Sequence, residues 1–129
     1  MTRLQARRIH RHDGLAVLAV VGELDLDSEQ VLADAIASVL DTGRSQLILD
    51  CGDLSFCDSR GLGLLLALRQ TLDERGGSLV LAAPSPQLLR TLELTGADQI
   101  ITLAGDVEEA AGLLPPPDAT GVTGSAGSG

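Results

Sequence analysis

The chain has 129 residues, with 18 acidic side chains against 9 basic ones for a net charge of −9, and no Lys, Tyr or Trp. A chain this short buries one core and little more, and with Phe56 as its single aromatic that core has to be aliphatic. Nucleic-acid binding is disfavoured, because it rests on concentrated Lys and Arg and on aromatics that stack on bases.

The charge is uneven. Residues 1 to 12 carry Arg3, Arg7, Arg8 and Arg11 and no acid, so the remainder holds 18 acids against 5 Arg, a balance of −13. An acidic body of this kind associates readily with basic partner surfaces, although solubility alone accounts for most of its carboxylates. The basic N-terminus lacks the apolar stretch and cleavage site of a signal peptide, and no apolar run is long enough to span a bilayer. The expected location is the cytoplasm, with no membrane partner.

Taken in order, the elements alternate. Leu4 to His10 and Leu15 to Val21 read as two strands joined at His12-Asp13-Gly14, where Asp-Gly signals a short turn. After Gly22-Glu23-Leu24-Asp25, the residues Val31, Leu32, Ala35, Ile36, Val39 and Leu40 recur at helical spacing. Asp27 or Ser28 serves as a cap and Thr42-Gly43 as the stop. A strand over 46–51, a helix over 60–75 ended by Gly76-Gly77, and a strand over 78–82 make a parallel, right-handed crossover. A helix follows Pro84 and Pro86, with Leu88, Leu89, Leu92 and Leu94 on its apolar face and Gly96 at its end. Ile100 to Leu103 adds a short strand, and Asp106 caps a last helix to Gly112. Residues 114–129, rich in Pro, Gly, Ser and Thr, have little to bury and are expected to be disordered, leaving one domain over 1–113.

The stretch Leu54 to Leu65, LSFCDSRGLGLL, carries the most information. It reads as a loop leaving a buried strand and entering a helix, with Asp58 and Ser59 at the entrance. Such side chains cap a helix by accepting bonds from its first unpaired amides. The same amides and the positive end of the helix dipole favour an anion, so Ser59 reads first as a structural cap and second as an exposed, modifiable hydroxyl. Asp53, Asp58 and Ser59 fall near the carboxyl end of the sheet, where open α/β folds present working residues. Asp25 is either a turn residue or a member of that group.

Enzyme readings find little support. Cys57-Asp58-Ser59-Arg60-Gly61 resembles a nucleophile elbow without its first Gly, and the only histidines, His10 and His12, precede the serine. Those two histidines have no third partner for a metal, and Cys51 and Cys57 match no zinc or redox spacing, so free thiols are expected. No phosphate-binding G-x-x-x-x-G-K loop is present. No catalytic residue, metal or cofactor is assigned.

The GELD segment at residues 22–25 and the loop LILDCGDLSFCDSRGLG at residues 47–63, one helix and one strand apart, resemble the anti-sigma factor antagonist family, whose fold is the STAS domain. The resemblance runs from about Ile9 to Gly112. It implies a single α/β domain with a mixed, mainly parallel sheet of four to five strands and about four helices. It also implies that the Ser after the Asp, here Ser59, is phosphorylated by a partner anti-sigma factor that is itself a serine kinase, which supplies the ATP, and that a phosphatase reverses the modification. The Asp of GELD, Asp25, is implied to lie beside that serine. Many relatives carry a second Ser or Thr where this chain has Arg60, which leaves one hydroxyl to modify and changes what the kinase meets. The implied function is binding to the anti-sigma factor when Ser59 is bare, freeing a sigma factor. The expected contact residues are Asp25, Asp53, Asp58, Ser59, Arg60 and Gly61. The alternative is a STAS interaction module of a sensory scaffold or a lipid-transport assembly.

Overall fold

The computed structural model describes residues 3–9, 11 and 15–114. Five strands and four helices follow one another as β1 (Gln5–Ile9), β2 (Ala16–Leu24), α1 (Glu29–Leu40), β3 (Gln46–Cys57), α2 (Ser59–Glu74), β4 (Ser78–Ala82), α3 (Pro86–Thr95), β5 (Thr102–Ala104) and α4 (Val107–Gly112), with a 3₁₀ turn at Ala97–Gln99. The sheet order is β1-β2-β3-β4-β5. β1 is antiparallel to β2, and every later pair is parallel, as helical crossovers require.

Alternation along the strands divides the interior in two. Leu18, Leu47, Leu49, Leu79 and Leu81 meet α1, α2 and α3 on one face, through Leu32, Ile36, Leu65, Leu72, Leu88 and Leu92. Val17, Ile48, Val80 and Ala82 point the other way and pack with Ala110 of α4. Strands buried on both faces have to be continuously apolar, which is why Leu47-Ile48-Leu49 and Leu79-Val80-Leu81-Ala82 read as solid runs. Leu114, placed at the start of the tail by the sequence, is buried in the second cluster with Leu15 and Val17. The His12-Asp13-Gly14 turn, both histidines and residues 115–129 lie outside the described residues.

The helix signals translate into geometry. Ser85 accepts from Leu88 N at 3.2 Å ahead of Pro86, and Asp106 accepts from Glu109 N at 2.8 Å. Gly96 closes α3 at φ 79° in the left-handed region. The last strand runs over Thr102–Ala104 rather than from Ile100, because the 3₁₀ turn occupies the residues before it. No helix among the described residues is long and apolar enough to cross a membrane.

One expectation is corrected. The strand expected over 46–51 does not give way to a loop: β3 continues to Cys57 and passes directly into α2. β2 likewise runs through Gly22-Glu23-Leu24. Nine residues of β2, Ala16 to Leu24, lie beside eleven of β3, Leu47 to Cys57, so β3 holds two extra residues, at the register shifts between Ala19 and Val21 and between Gly22 and Glu23. Bulges of this kind change the burial period. Beyond Cys51 the residues facing the core recur every third position, at Leu54 and Cys57, with exposed pairs between them. That spacing hides the strand from a reader looking for alternation.

Candidate functional site

β3 runs seven residues past Asp50, its last partner on β4, and delivers Ser59 to the rim of the sheet. Asp58 is the N-cap of α2: its extended backbone and its Oδ1, which accepts from Gly61 N at 2.9 Å, start the helix. Ser59 therefore occupies the first helical position. It is exposed, and among the described residues its hydroxyl makes no hydrogen bond. Of the two caps allowed by the sequence, the structure selects Asp58 and leaves Ser59 unengaged.

A backbone bond fixes what lies beside it. Asp58 N donates to Leu24 O at 3.2 Å, so Asp25 and Ser59 each follow one member of a directly bonded pair. Ser55 Oγ adds a second tie to Gly22 O at 3.0 Å. Two glycines make the approach possible. Gly61 is buried, and a Cβ there would stand 2.8 Å from both Leu24 Cγ and Leu24 O. Gly22 has φ +107°, and a Cβ on it would run into the Arg3 carbonyl. The glycine that opens GELD and the glycine that follows D-S-R thus serve the packing of the two motifs.

The Asp25 turn is held by its own side chains. Asp25 Oδ1 accepts from Ser28 N at 3.1 Å, while Ser28 Oγ accepts from Asp25 N at 2.9 Å and faces Glu23 O at 2.9 Å. Ser28 is the N-cap of α1 by position, yet its hydroxyl makes no cap bond to that helix. Beside the turn lies a cleft of about 400 Å³, lined by Arg3, Leu4, Glu23, Asp25, Ser28 and Val31. Arg60 meets Glu29 of α1 at 3.3 Å, an ion pair open to solvent.

Asp25, Asp58, Ser59, Arg60 and Gly61 are accordingly gathered at one end of β2 and β3. Asp53 is not with them: it lies opposite Val21, four positions before Cys57, on the exposed side of a bulge. Three neighbours escaped the sequence reading. Phe56 stands opposite Glu23 with 41% of its surface exposed, and Leu26 is 55% exposed, so an apolar edge flanks the carboxylates. Gln87 of α3 bonds to both the N–H and the carbonyl of Cys57. The one available signal was Phe56, a lone aromatic between polar residues. The reach of Gln87 over thirty positions left none.

Cys51 and Cys57 are free and buried beneath the site. Burial, with Asp50 and Cys57 adding charge repulsion, pushes the Cys51 thiol up to about 12, and burial with Asp58 does the same for Cys57. Neither is a nucleophile at neutral pH. Among the described residues no group of three or more His, Cys, Asp or Glu could hold a metal ion.

Known proteins share this fold. The STAS domain family matches residues 6–110. The anti-sigma-B factor antagonist of Bacillus subtilis is 32% identical over 89 residues, which cover 69% of this chain and 81% of that protein. The crystal structure of an anti-sigma factor antagonist from Mycobacterium paratuberculosis superposes with a TM-score of 0.76 at 28% identity, covering 86% of this chain and 93% of that one. The Bacillus cell fate determinant SpoIIAA in its phosphorylated form gives 0.65 at 25% identity over 84% of this chain and 97% of its own. With its five-stranded, mostly parallel sheet and four helices, the chain belongs to the STAS domain family and is a relative of the anti-sigma factor antagonists within it.

Proposed function

We propose that the chain is an anti-sigma factor antagonist that binds an anti-sigma factor kinase through the end of β2 and the start of α2, and that phosphorylation of Ser59 releases it. The observation that carries this reading is the bond from Asp58 N to Leu24 O, which sets an exposed, unengaged serine at a helix N-terminus beside Asp25. A relative known in a phosphorylated form supports the same direction. The chain itself acts by binding, and the kinase supplies the phosphoryl group and a phosphatase removes it.

The physical basis is charge. A phosphate adds about −1.5 to −2 charges at a rim that already carries Asp25 and Asp58. A like charge on the partner about 5 Å away, at an effective dielectric near 20, costs roughly 3 kcal/mol, or about two decades of affinity before screening. The fold tolerates the group because the first amides of α2 and the helix dipole favour an anion there. Arg60 offsets part of the charge. Its present pair with Glu29 is solvent-open and worth under about 1 kcal/mol, so it is free to turn toward the phosphate.

Ser59→Ala and Ser59→Asp test the reading. Isothermal titration against the anti-sigma factor recovered from the native cytosol should find Ser59→Ala binding as tightly as the bare wild type and Ser59→Asp binding weakly. Phosphate incorporation into Ser59→Ala at the wild-type level would refute the site.

A further inference from the structure

β4 ends at Ala82, paired with Asp50, while β3 runs on to Cys57. On the β2 side the extension keeps a strand neighbour as far as Leu24 and Cys57. On the β4 side it has none, and at its last residue a side chain takes the vacant place. Gln87, in the first turn of α3, accepts from Cys57 N through Oε1 at 3.3 Å and donates from Nε2 to Cys57 O at 3.3 Å. A carboxamide presents the same donor and acceptor as a peptide group, so it can serve as one strand residue. Its orientation is supported from behind: Nε2 also donates to Thr91 Oγ1 at 3.2 Å, and that hydroxyl donates to Gln87 O at 3.1 Å. The next residue along, Leu88, is fully buried, so α3 offers a rigid mount.

We infer that Gln87 is a positioning residue for the Ser59 site: its amide replaces the missing strand beside Cys57 and fixes where α2 begins. Cys57 is then held from both flanks, by Gln87 on one side and by the bond from Asp58 N to Leu24 O on the other. Loss of the first should loosen the cap while leaving the second. A displacement of α3 would therefore reach the serine through one side chain, with no change in the core. The functional meaning of this coupling rests on the reading of Ser59 as the phosphorylated residue, whereas the tether is measurable without any partner.

The experiment compares amide hydrogen exchange by NMR in the full chain for wild type, Gln87→Leu and Gln87→Glu. Gln87→Leu removes both bonds. Exchange at Cys57 should speed up roughly tenfold, with a smaller change at Asp58 and Gly61, while Leu47, Leu49, Leu79 and Leu81 keep their rates. Gln87→Glu keeps the acceptor and loses the donor, so Cys57 should fall between the other two. The side-chain amide resonances of Gln87 should differ between wild type and Ser59→Asp. Unchanged exchange at Cys57 in Gln87→Leu, or acceleration spread evenly over the sheet, overturns the assignment, as does a Gln87 amide indifferent to Ser59→Asp. A Ser59→Ala variant that still takes up phosphate would remove the switch and leave this exchange pattern standing.

Discussion

Gly61 Cα lies against Leu24 so closely that the smallest side chain has no room: an added Cβ would sit 2.8 Å from Leu24 O and 3.0 Å from Cys57 Sγ. The contact joins the first turn of α2 to the end of β2, and it sets the distance between Ser59 and the Asp25 turn. Gly63, two residues on, faces open space with nothing within 4 Å. Two glycines in one helix thus have opposite meanings.

Gly61→Ala should destabilise the domain by about 1–3 kcal/mol, because the neighbours it meets include backbone that cannot step aside. Gly63→Ala should stabilise it by roughly 0.5–1 kcal/mol through helix propensity alone. Urea midpoints at constant m-value separate the two.

Asp58 combines a cap and a charge, and two substitutions divide them. Asp58→Ala loses the bond to Gly61 N and should cost about 1 kcal/mol of stability. Asp58→Asn keeps an acceptor at that amide and should fold nearly as well while removing one negative charge from the rim. If the two variants melt at the same temperature, Asp58 is not the cap that starts α2.

Phe56 and Leu26 leave large apolar surface beside the carboxylates. Aromatic side chains at the centre of an interface commonly carry much of the binding energy, so Phe56→Ala should weaken partner binding by about 2 kcal/mol with a stability change within about 1 kcal/mol. Equal affinity in titration calorimetry would take Phe56 out of the contact.

The buried thiols give a pH dependence of definite sign. In the unfolded chain they ionise near 9, whereas in the folded protein both stay neutral to about 12. Ionisation therefore favours the unfolded state above pH 9: stability is intact below that value and falls as pH climbs toward 12, by about 1.4 kcal/mol per pH unit for each thiol. Denaturant melts between pH 8 and 11 should show this slope, flattened in Cys51→Ala. At pH 8 the folded thiolate fraction is roughly 10⁻⁴, so iodoacetamide should label native protein far more slowly than unfolded chain.

Much of the architecture was legible from residue order alone. The aliphatic runs at 15–21, 46–51 and 78–82, the helical spacing of Leu32, Ile36 and Val39, and the stops at Gly43, Gly76 and Gly96 depend on local periodicity and backbone preference, and all correspond to observed elements. GELD and D-S-R-G-L-G, with the interval between them, also identified the family before any coordinates did. Their chemistry is local: a glycine that reaches positive φ, an aspartate that caps, a serine one residue later.

Only the tertiary structure decided how those pieces meet. Whether residues 52–57 were loop or strand depended on pairing with Gly22, Glu23 and Leu24, about thirty positions earlier, and the two bulges replaced alternation with a threefold spacing that no local rule reads as strand. Asp53 left the site for the same reason, since an extended backbone carries it away from Ser59. Gln87 joined because α3 crosses the place where β4 stops. Periodicity is a property of neighbours in the chain, whereas a clamp, a close approach and a bulge register are properties of neighbours in space.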